Sequence, residues 1–218
     1  MKPLLLIIVV AFISLPGCSQ NNATKKTTQK SKIQVGGSCE GCEAIYESPV
    51  PFEQLNNVDT LPDFNDPGPK IEISGTVYKH DGKTVAKDVI LYVYHTDQAG
   101  IYPKKGNEKG WAKRHGYIRG WVKTDKNGFY KFYTLVPASY PNGKNPKHIH
   151  PVIKETDINE YWIDEYLFEG DPYLQFEKSE RPPRGGNGII KLAMKDGMLK
   201  ATRNIILGLN VPGYPEKQ

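Results

Sequence analysis

Apolar and polar positions alternate along most of the chain from residue 71 onward. The alternation is clear in residues 71–78 and 88–95, and Asp81 and Gly82 mark a turn between these two segments. A period of two places every second side chain on the same face of a strand, so both segments are predicted to be strands. Further strands are predicted at 117–123, 129–135, 147–153, 188–192 and 198–207.

Helical periodicity is weak, and only residues 156–166 are expected to hold a short helix. Residues 43–70 are rich in Pro and Asp, which predicts an extended N-terminal arm that wraps around the domain rather than packing into it. Short strands separated by turn residues are typical of antiparallel sandwiches and barrels. We therefore predict one all-β domain over residues 33–218, an antiparallel β-sandwich or barrel with few helices.

The N-terminus has the pattern of an export signal. Lys2 precedes an apolar run over residues 4–15, which is too short to span a bilayer comfortably, and Cys18 directly follows Gly17. This ending resembles a bacterial lipobox and predicts a signal peptide over residues 1–18 with lipid attached to Cys18. Ordinary cleavage and an uncleaved anchor remain alternatives. The expected location is the bacterial cell envelope, lipid-anchored at the outer membrane or facing the periplasm.

The charge of the chain is concentrated in the segment that follows. Residues 19–32 contain no apolar side chain beyond Ala23, and they are predicted to be a flexible polar tether. The formal net charge is +5, but the first 32 positions hold five lysines and no acidic residue. The remaining residues carry 24 basic and 24 acidic side chains, so the charge gives no indication of a nucleic-acid partner.

Cys39 and Cys42 are the only cysteines besides Cys18. Outside the cytoplasm, a CxxC pair is most simply a local disulfide, and a structural clip is predicted here. A redox site would need a strand before the pair and a helix after it, and a zinc site would need a second pair of ligands. Neither pattern is visible nearby.

His148 and His150 form an HxH pair within a predicted strand. Residues i and i+2 of a strand point to the same face, so both imidazoles can reach one metal ion. Tyr102 and Tyr140 lie upstream, and a phenolate is a hard anionic donor suited to a trivalent ion. Two phenolates and two imidazoles together would suit Fe(III). Each tyrosine taken alone is more simply a half-buried sandwich residue.

The order of several motifs resembles the intradiol ring-cleavage dioxygenases, the family of catechol and protocatechuate dioxygenases. The first such segment, residues 95–102, reads HTDQAGIY and ends at Tyr102. The others are Ile118-Arg119-Gly120, Thr124-Asp125, Gly128-Phe129-Tyr130, Phe132, Thr134, Pro137, Tyr140-Pro141, His148-Ile149-His150 and Phe168-Glu169-Gly170-Asp171-Pro172. Together they cover roughly residues 36–210.

The resemblance implies a role for each candidate residue. Tyr102 and His150 would be equatorial ligands of Fe(III), and Tyr140 and His148 axial ligands, with Tyr140 leaving when the substrate binds. The implied partners are an aromatic diol and O2, which supplies both inserted oxygen atoms. Because members of the family are commonly oligomeric, a homodimer is one assembly the resemblance allows.

Two positions near the implied substrate depart from the family pattern. Asn145 stands where the family usually has Arg, and Glu165 stands where it usually has a neutral Gln. Arg119 or Lys147 would then be candidates to supply the missing positive charge. A carboxylate at residue 165 would disfavour a second anion unless it is protonated or paired.

Two other functions are compatible with parts of the pattern. Residues 74–93 and 122–132 also resemble a carboxypeptidase-regulatory-like sandwich, a non-catalytic binding module. That module accounts for the strands and turns, but not for the ordered tyrosines or the HxH pair. A protein that binds a ferric catecholate without cleaving it is the third alternative, and Asn145 is the feature that keeps it open.

Overall fold

Two six-stranded β-sheets make up most of the protein in a computed structural model that describes residues 33–177 and 180–216. This confirms the all-β class with few helices. No helix in these residues is long and apolar enough to cross a membrane. The predictions for the signal segment 1–18, for lipid at Cys18 and for the tether 19–32 lie outside the described residues.

The first sheet has the strand order β1-β5-β2-β11-β10, and β12 also pairs with β2. Its strands are β1 (Val58–Thr60), β2 (Lys70–Tyr78), β5 (Phe129–Leu135), β10 (Ala193–Lys195), β11 (Met198–Thr202) and β12 (Ile205–Ile206). β2 and β5 are antiparallel, as predicted from the turn-rich pattern, and so are β10 and β11, whereas β1 runs parallel to β5, and β11 and β12 run parallel to β2.

The second sheet has the order β4-β3-β6-β8-β9, and β7 also pairs with β6. Its strands are β3 (Ile90–Tyr94), β4 (Arg119–Lys123), β6 (His148–Lys154), β7 (Tyr161–Trp162), β8 (Tyr166–Phe168) and β9 (Ile189–Ile190). The described helices are α1 (Ala112–His115) and three short 3₁₀ turns, Cys42–Glu47, Phe52–Gln54 and Leu174–Phe176.

The main core is formed by the alternating apolar positions of both sheets. Ile71, Ile73 and Val77 on β2 are fully buried, while the residues between them are half-exposed. Ile73 lies opposite Phe132 in the pairing of β2 with β5, and the same cluster contains Leu91 of the second sheet. Burying these side chains supplies the main driving force for the sandwich-like arrangement.

The helix predicted at 156–166 is wrong, because this segment holds β7 and the first residue of β8. Both strands pair with β6, and the ladder is interrupted between them. The interruption lies opposite Pro151, which has no amide hydrogen to donate and is tolerated in sheets at such breaks. The single strand predicted at 198–207 is likewise divided into β11 and β12.

The N-terminal arm packs into the fold more extensively than its Pro-rich composition predicts. Ala44 and Ile45 are completely buried, and Leu61 is almost so. The first two belong to a second apolar cluster, which also contains Tyr92 and Trp121 from the outer face of the second sheet. The arm therefore covers that face, where it adds a third layer to part of the sandwich.

A buried polar network attaches the arm to both sheets. The Asp63 carboxylate accepts hydrogen bonds from the Thr134 hydroxyl, at 2.8 Å, and from the Leu135 amide, at 3.2 Å. The same hydroxyl lies 2.6 Å from Nε2 of His95, which is completely buried at the end of β3. Buried polar groups of this kind stabilise a fold only while every partner is present.

Replacing Asp63 by Ala should therefore destabilise the protein by roughly 2–4 kcal/mol, because the Thr134 hydroxyl and the Leu135 amide would lose their acceptor. Urea unfolding followed by circular dichroism measures this change. Asp66→Ala is the control, since Asp66 is exposed on the same loop and should change stability by less than about 0.5 kcal/mol. Equal effects of the two variants would contradict the role given to Asp63.

Candidate metal centre

β6 carries two histidines on the face of the sheet that points away from the main core. Ile149 and Ile153 are buried in the core, so the alternation of the strand directs His148 and His150 to the opposite, outer side. Both histidines are partly exposed there. The HxH spacing thus has the consequence expected from the sequence: the two imidazole rings lie 4.5 Å apart, centroid to centroid.

Tyr102 and Tyr140 are supplied by two loops that are bonded to each other. The Ala138 amide donates to the Asp97 carbonyl, and the Thr96 hydroxyl donates to the Ala138 carbonyl at 2.7 Å. Gly100 has a φ of 75°, and a Cβ at this position would stand 2.0 Å from the Ser139 carbonyl oxygen. Only glycine permits this approach, so Gly100 lets the loop before Tyr102 lie against the loop before Tyr140.

Four donor atoms converge at the point where these loops meet β6. The Tyr102 hydroxyl oxygen lies 2.6 Å from that of Tyr140 and 2.9 Å from Nε2 of His150. The Tyr140 oxygen lies 3.0 Å from Nε2 of His148 and 3.4 Å from Nε2 of His150. We call these four side chains the donor cluster. The sequence placed all four in one site, and the structure brings them together.

Polar groups on the far side of each imidazole set the orientation of the rings: a hydrogen bond for His148 and a nearby carboxylate for His150. Nδ1 of His148 lies 2.7 Å from the Pro146 carbonyl, so this nitrogen carries the proton and donates it. Nδ1 of His150 lies 3.6 Å from the Glu165 carboxylate. Partners of this kind direct the lone pair of each Nε2 toward the tyrosine oxygens, as they do for histidines that bind metals.

The electrostatics of the cluster favour neutral phenols and a neutral His148 in the absence of a cation. Burial raises the pKa of the Tyr102 and Tyr140 phenols above the ordinary value. Burial, followed by the effect of His150, lowers the pKa of His148 to about 4. Burial alone would raise the pKa of Glu165, but its interaction with His150 outweighs burial and lowers that pKa to about 2.

This donor set fits a trivalent ion. Ligands bonded at about 2.0–2.1 Å to one ion stand about 2.9–3.4 Å apart, close to the separations of the four donor atoms. Two phenolates balance two of the three positive charges, and a bound cation lowers phenol pKa values. Elsewhere in residues 33–177 and 180–216, no group of three or more His, Cys, Asp and Glu side chains is placed to hold a metal.

An aromatic stack that the sequence analysis missed supports His150 from behind. The Tyr94 ring lies between His150, at 4.6 Å, and His115, at 3.8 Å and nearly parallel. Nδ1 of His115 lies 2.8 Å from the Tyr92 hydroxyl. The alternation of β3 could have been used to predict that Tyr92 and Tyr94 share a face with His150. No local sequence pattern indicates the position of His115.

The structure does not bring the other predicted catalytic residues to the donor cluster. Arg119 bonds Glu47 at 2.6 Å and is separated from His150 by Tyr94, with which both residues pair across strands. Lys147 lies 3.6 Å from Asp171. Asn145 is exposed in the turn that precedes β6. Glu165 is the exception, since it faces His150.

Cys39 and Cys42 are joined by a disulfide with a Cα–Cα distance of 5.7 Å. The bridge closes the segment that enters the first 3₁₀ turn, and Cys42 is buried in the second apolar cluster. Cys39 also lines a cavity of about 250 Å³ beside His150, Trp162 and Glu165. The predicted disulfide is confirmed, and it lies beside the candidate site.

The class of protein with this mostly-β fold and donor cluster follows from comparison with known families. The profile of the family described as Dioxygenase matches residues 46–183. The chain therefore belongs to the intradiol ring-cleavage dioxygenases, which confirms the resemblance seen in the sequence. The matched range includes residues 74–93 and 122–132, the two segments that also resembled the non-catalytic sandwich module. Membership of the dioxygenase family therefore argues against that module.

Two curated relatives are dioxygenases of bacterial origin. The chain is 30% identical over 136 residues to catechol 1,2-dioxygenase 1 of Acinetobacter lwoffii, covering 55% of this chain and 42% of that protein. It is 28% identical over 116 residues to the protocatechuate 3,4-dioxygenase beta chain of Burkholderia cepacia, covering 50% of this chain and 49% of the relative. The chain spans about half the length of the curated relatives it matches.

Solved structures of the same kind share the fold. The dioxygenase domain of a dioxygenase and carbohydrate-binding fusion protein from Streptomyces sp. SirexAA-E has a TM-score of 0.54 at 19% identity, over 69% of this chain and 88% of that one. Catechol 1,2-dioxygenase from Acinetobacter sp. ADP1 has a TM-score of 0.53 at 19% identity, over 69% and 56%. At these identities the likeness concerns the fold alone.

The metal-free protein should lose stability as the pH falls from about 6.5 to 4. Burial lowers the pKa of His115 and of His148 to about 4, whereas an unfolded histidine titrates near 6.5. Within this window the unfolded chain binds protons that the folded chain does not, so unfolding becomes progressively more favourable. The expected loss is on the order of 3 kcal/mol for each histidine.

Urea unfolding of the metal-free protein at several pH values tests this expectation. Burial lowers the pKa of His95 as well, so His115→Gln removes one of several contributing histidines and should visibly reduce the slope of stability against pH. The acid-induced loss should therefore be visibly smaller in the variant than in the wild-type protein. A slope unchanged by His115→Gln would contradict the assignment.

Proposed function

We propose that the protein is a non-haem Fe(III) dioxygenase that cleaves the ring of a catechol-type diol between its two hydroxylated carbons. Both atoms of O2 would enter the product. Membership of the intradiol family supports the reaction class. The observation that carries the proposal is the convergence of two phenol oxygens and two imidazole nitrogens, with each donor within 3.4 Å of another.

Tyr102, Tyr140, His148 and His150 would hold the iron. When bound, Fe(III) would draw electron density from a chelated diolate and make the ring carbon reactive toward O2. The protein would supply neutral imidazoles at the right angle, through the Pro146 carbonyl and the Glu165 carboxylate. The surrounding aromatic stack would limit the access of water.

Tyr140 is the donor best placed to exchange with substrate. Tyr102 and Tyr140 lie in loops, whereas His148 and His150 are fixed in a paired strand, and side chains on loops move more readily than those on strands. Of the two tyrosines, Tyr102 is also held by its ring contact with Tyr94. A diol that binds through both oxygens must lose two protons. The Tyr140 phenolate oxygen would accept one of them as this residue moves aside, and the other would pass to solvent.

The purified protein expressed with iron should be coloured, because phenolate bound to Fe(III) absorbs visible light. Tyr102→Phe and Tyr140→Phe should each alter or remove the absorption band. Tyr133→Phe should leave it unchanged, since Tyr133 packs against Phe64 on another face. A colourless wild-type protein that takes up no iron would contradict the proposal.

A ferric catecholate binder without turnover is a second candidate. The two cations that the sequence offered in place of the missing Arg are already engaged: Arg119 by Glu47, and Lys147 by Asp171. Asn145 offers no charge in their place. An oxygen electrode separates the two functions. A coloured protein whose spectrum shifts with catechols but which consumes no O2 is the binder.

We further propose that lipid attached to Cys18 anchors the protein at the bacterial cell envelope. The apolar run that ends at Gly17 and Cys18 supports this placement. The Cys18→Ser variant should move from the membrane fraction to the soluble fraction of cells, with Ser19→Ala as the matched control. Equal membrane association of both variants would contradict lipid anchoring at Cys18.

A further inference from the structure

A cavity of about 250 Å³ opens beside His150. Its walls include Ser38 and Cys39 of the disulfide segment, Trp162 and Glu165. Ligand sites for drug-sized molecules are usually about 300–1,000 Å³, so this space suits a substituted single ring or its side chain. His150 belongs both to this cavity and to the donor cluster, so the cavity adjoins the candidate site.

The charges around this cavity are unbalanced. Among the described residues that line it are two carboxylates, Glu40 and Glu165, and no Lys or Arg. Glu40 is highly exposed and is paired with Arg114. The partner of Glu165 is Nδ1 of His150, and an imidazole that binds metal through Nε2 stays neutral. Glu165 therefore places a negative charge on the cavity wall that no cationic side chain neutralises.

This charge acts in a partly buried setting, where interactions between charges are less screened than in water. Glu165 has a side-chain exposure of 37%, and aromatic rings of Tyr94 and Trp162 surround it. A carboxylate brought into this space would meet a like charge without a counterion. An ammonium group would gain attraction and a hydrogen-bond acceptor.

We propose that the cavity receives the ring substituent of the diol, and that Glu165 selects a positively charged substituent, such as a primary ammonium, over a carboxylate. Glu165 is then a specificity-determining residue. This inference rests on the proposed function, because the diol must bind at the donor cluster for its substituent to reach the cavity. The substrate class is an aminoalkyl-substituted catechol.

A matched pair of diols tests the selection. In 3,4-dihydroxybenzylamine and 3,4-dihydroxybenzoate the same ring position carries opposite charges at neutral pH. Titration calorimetry of the iron-loaded full-length protein without O2 gives an affinity for each diol, and an oxygen electrode gives the two kcat/KM values. The wild-type protein should prefer the amine by about tenfold or more, since unit charges a few ångströms apart at a protein surface interact this strongly.

Glu165→Gln should reduce this preference by about tenfold. The ratio between the two diols is the decisive quantity, because any loss of His150 orientation in the variant would weaken both diols alike. Glu169→Gln is the matched control. Glu169 is exposed and faces Lys191, so its removal should leave the ratio unchanged.

Arg114→Gln provides a second variant that keeps the fold, since Arg114 is exposed. Glu40 lines the cavity, and the substitution removes the cation that pairs with it. The cavity wall becomes more negative, so the preference for the amine should rise. Equal wild-type affinities, a ratio unchanged in Glu165→Gln, or no binding of either diol would each overturn the selection. If the affinities follow the charge but no diol consumes O2, the proposed turnover fails while the selection by Glu165 stands.

Discussion

The alternation of β6 is the constraint on which the candidate site depends. Ile149 and Ile153 must face the main core, so His148 and His150 must face outward, and the side chains of one strand cannot do otherwise. The outward face of a sheet normally meets water. Here the N-terminal arm and the loops that carry the two tyrosines cover it. The histidines consequently lie in a partly buried layer outside the sandwich core.

That layer determines the chemistry. Burial keeps the phenols protonated and His148 neutral, which leaves donors that a strongly charged cation can convert to ligands. The Pro146 carbonyl holds the proton on the far nitrogen of His148, and Glu165 lies 3.6 Å from the far nitrogen of His150. In the proposed function, a site arranged in advance in this way needs little side-chain movement to receive Fe(III).

The break in the ladder beside Pro151 joins the fold to the cavity. β7 and β8 both pair with β6, and the residues between them leave the sheet opposite Pro151. Glu165 lies in this interruption, where it faces His150 rather than continuing a strand. The disulfide segment closes the same space from the arm. Pro151 thus lies beside the segment that forms β7 and β8 instead of the predicted helix. The same segment supplies Glu165, the carboxylate in the cavity wall beside the candidate metal centre.

The sequence by itself determined the longer strands of the sandwich, the outward HxH pair and the order of the four donors. These features follow from local periodicity and from motifs that are contiguous or nearly so. The tertiary structure alone decided that Arg119 is bound to Glu47, that Glu165 faces His150, and that residues 156–166 hold β7 and the first residue of β8 instead of a helix. Such outcomes depend on partners up to 72 residues away, and no local pattern encodes which distant group a side chain meets. Likewise, only the tertiary structure places Tyr94 and His115 behind His150, because packing between different elements determines which side chains become neighbours.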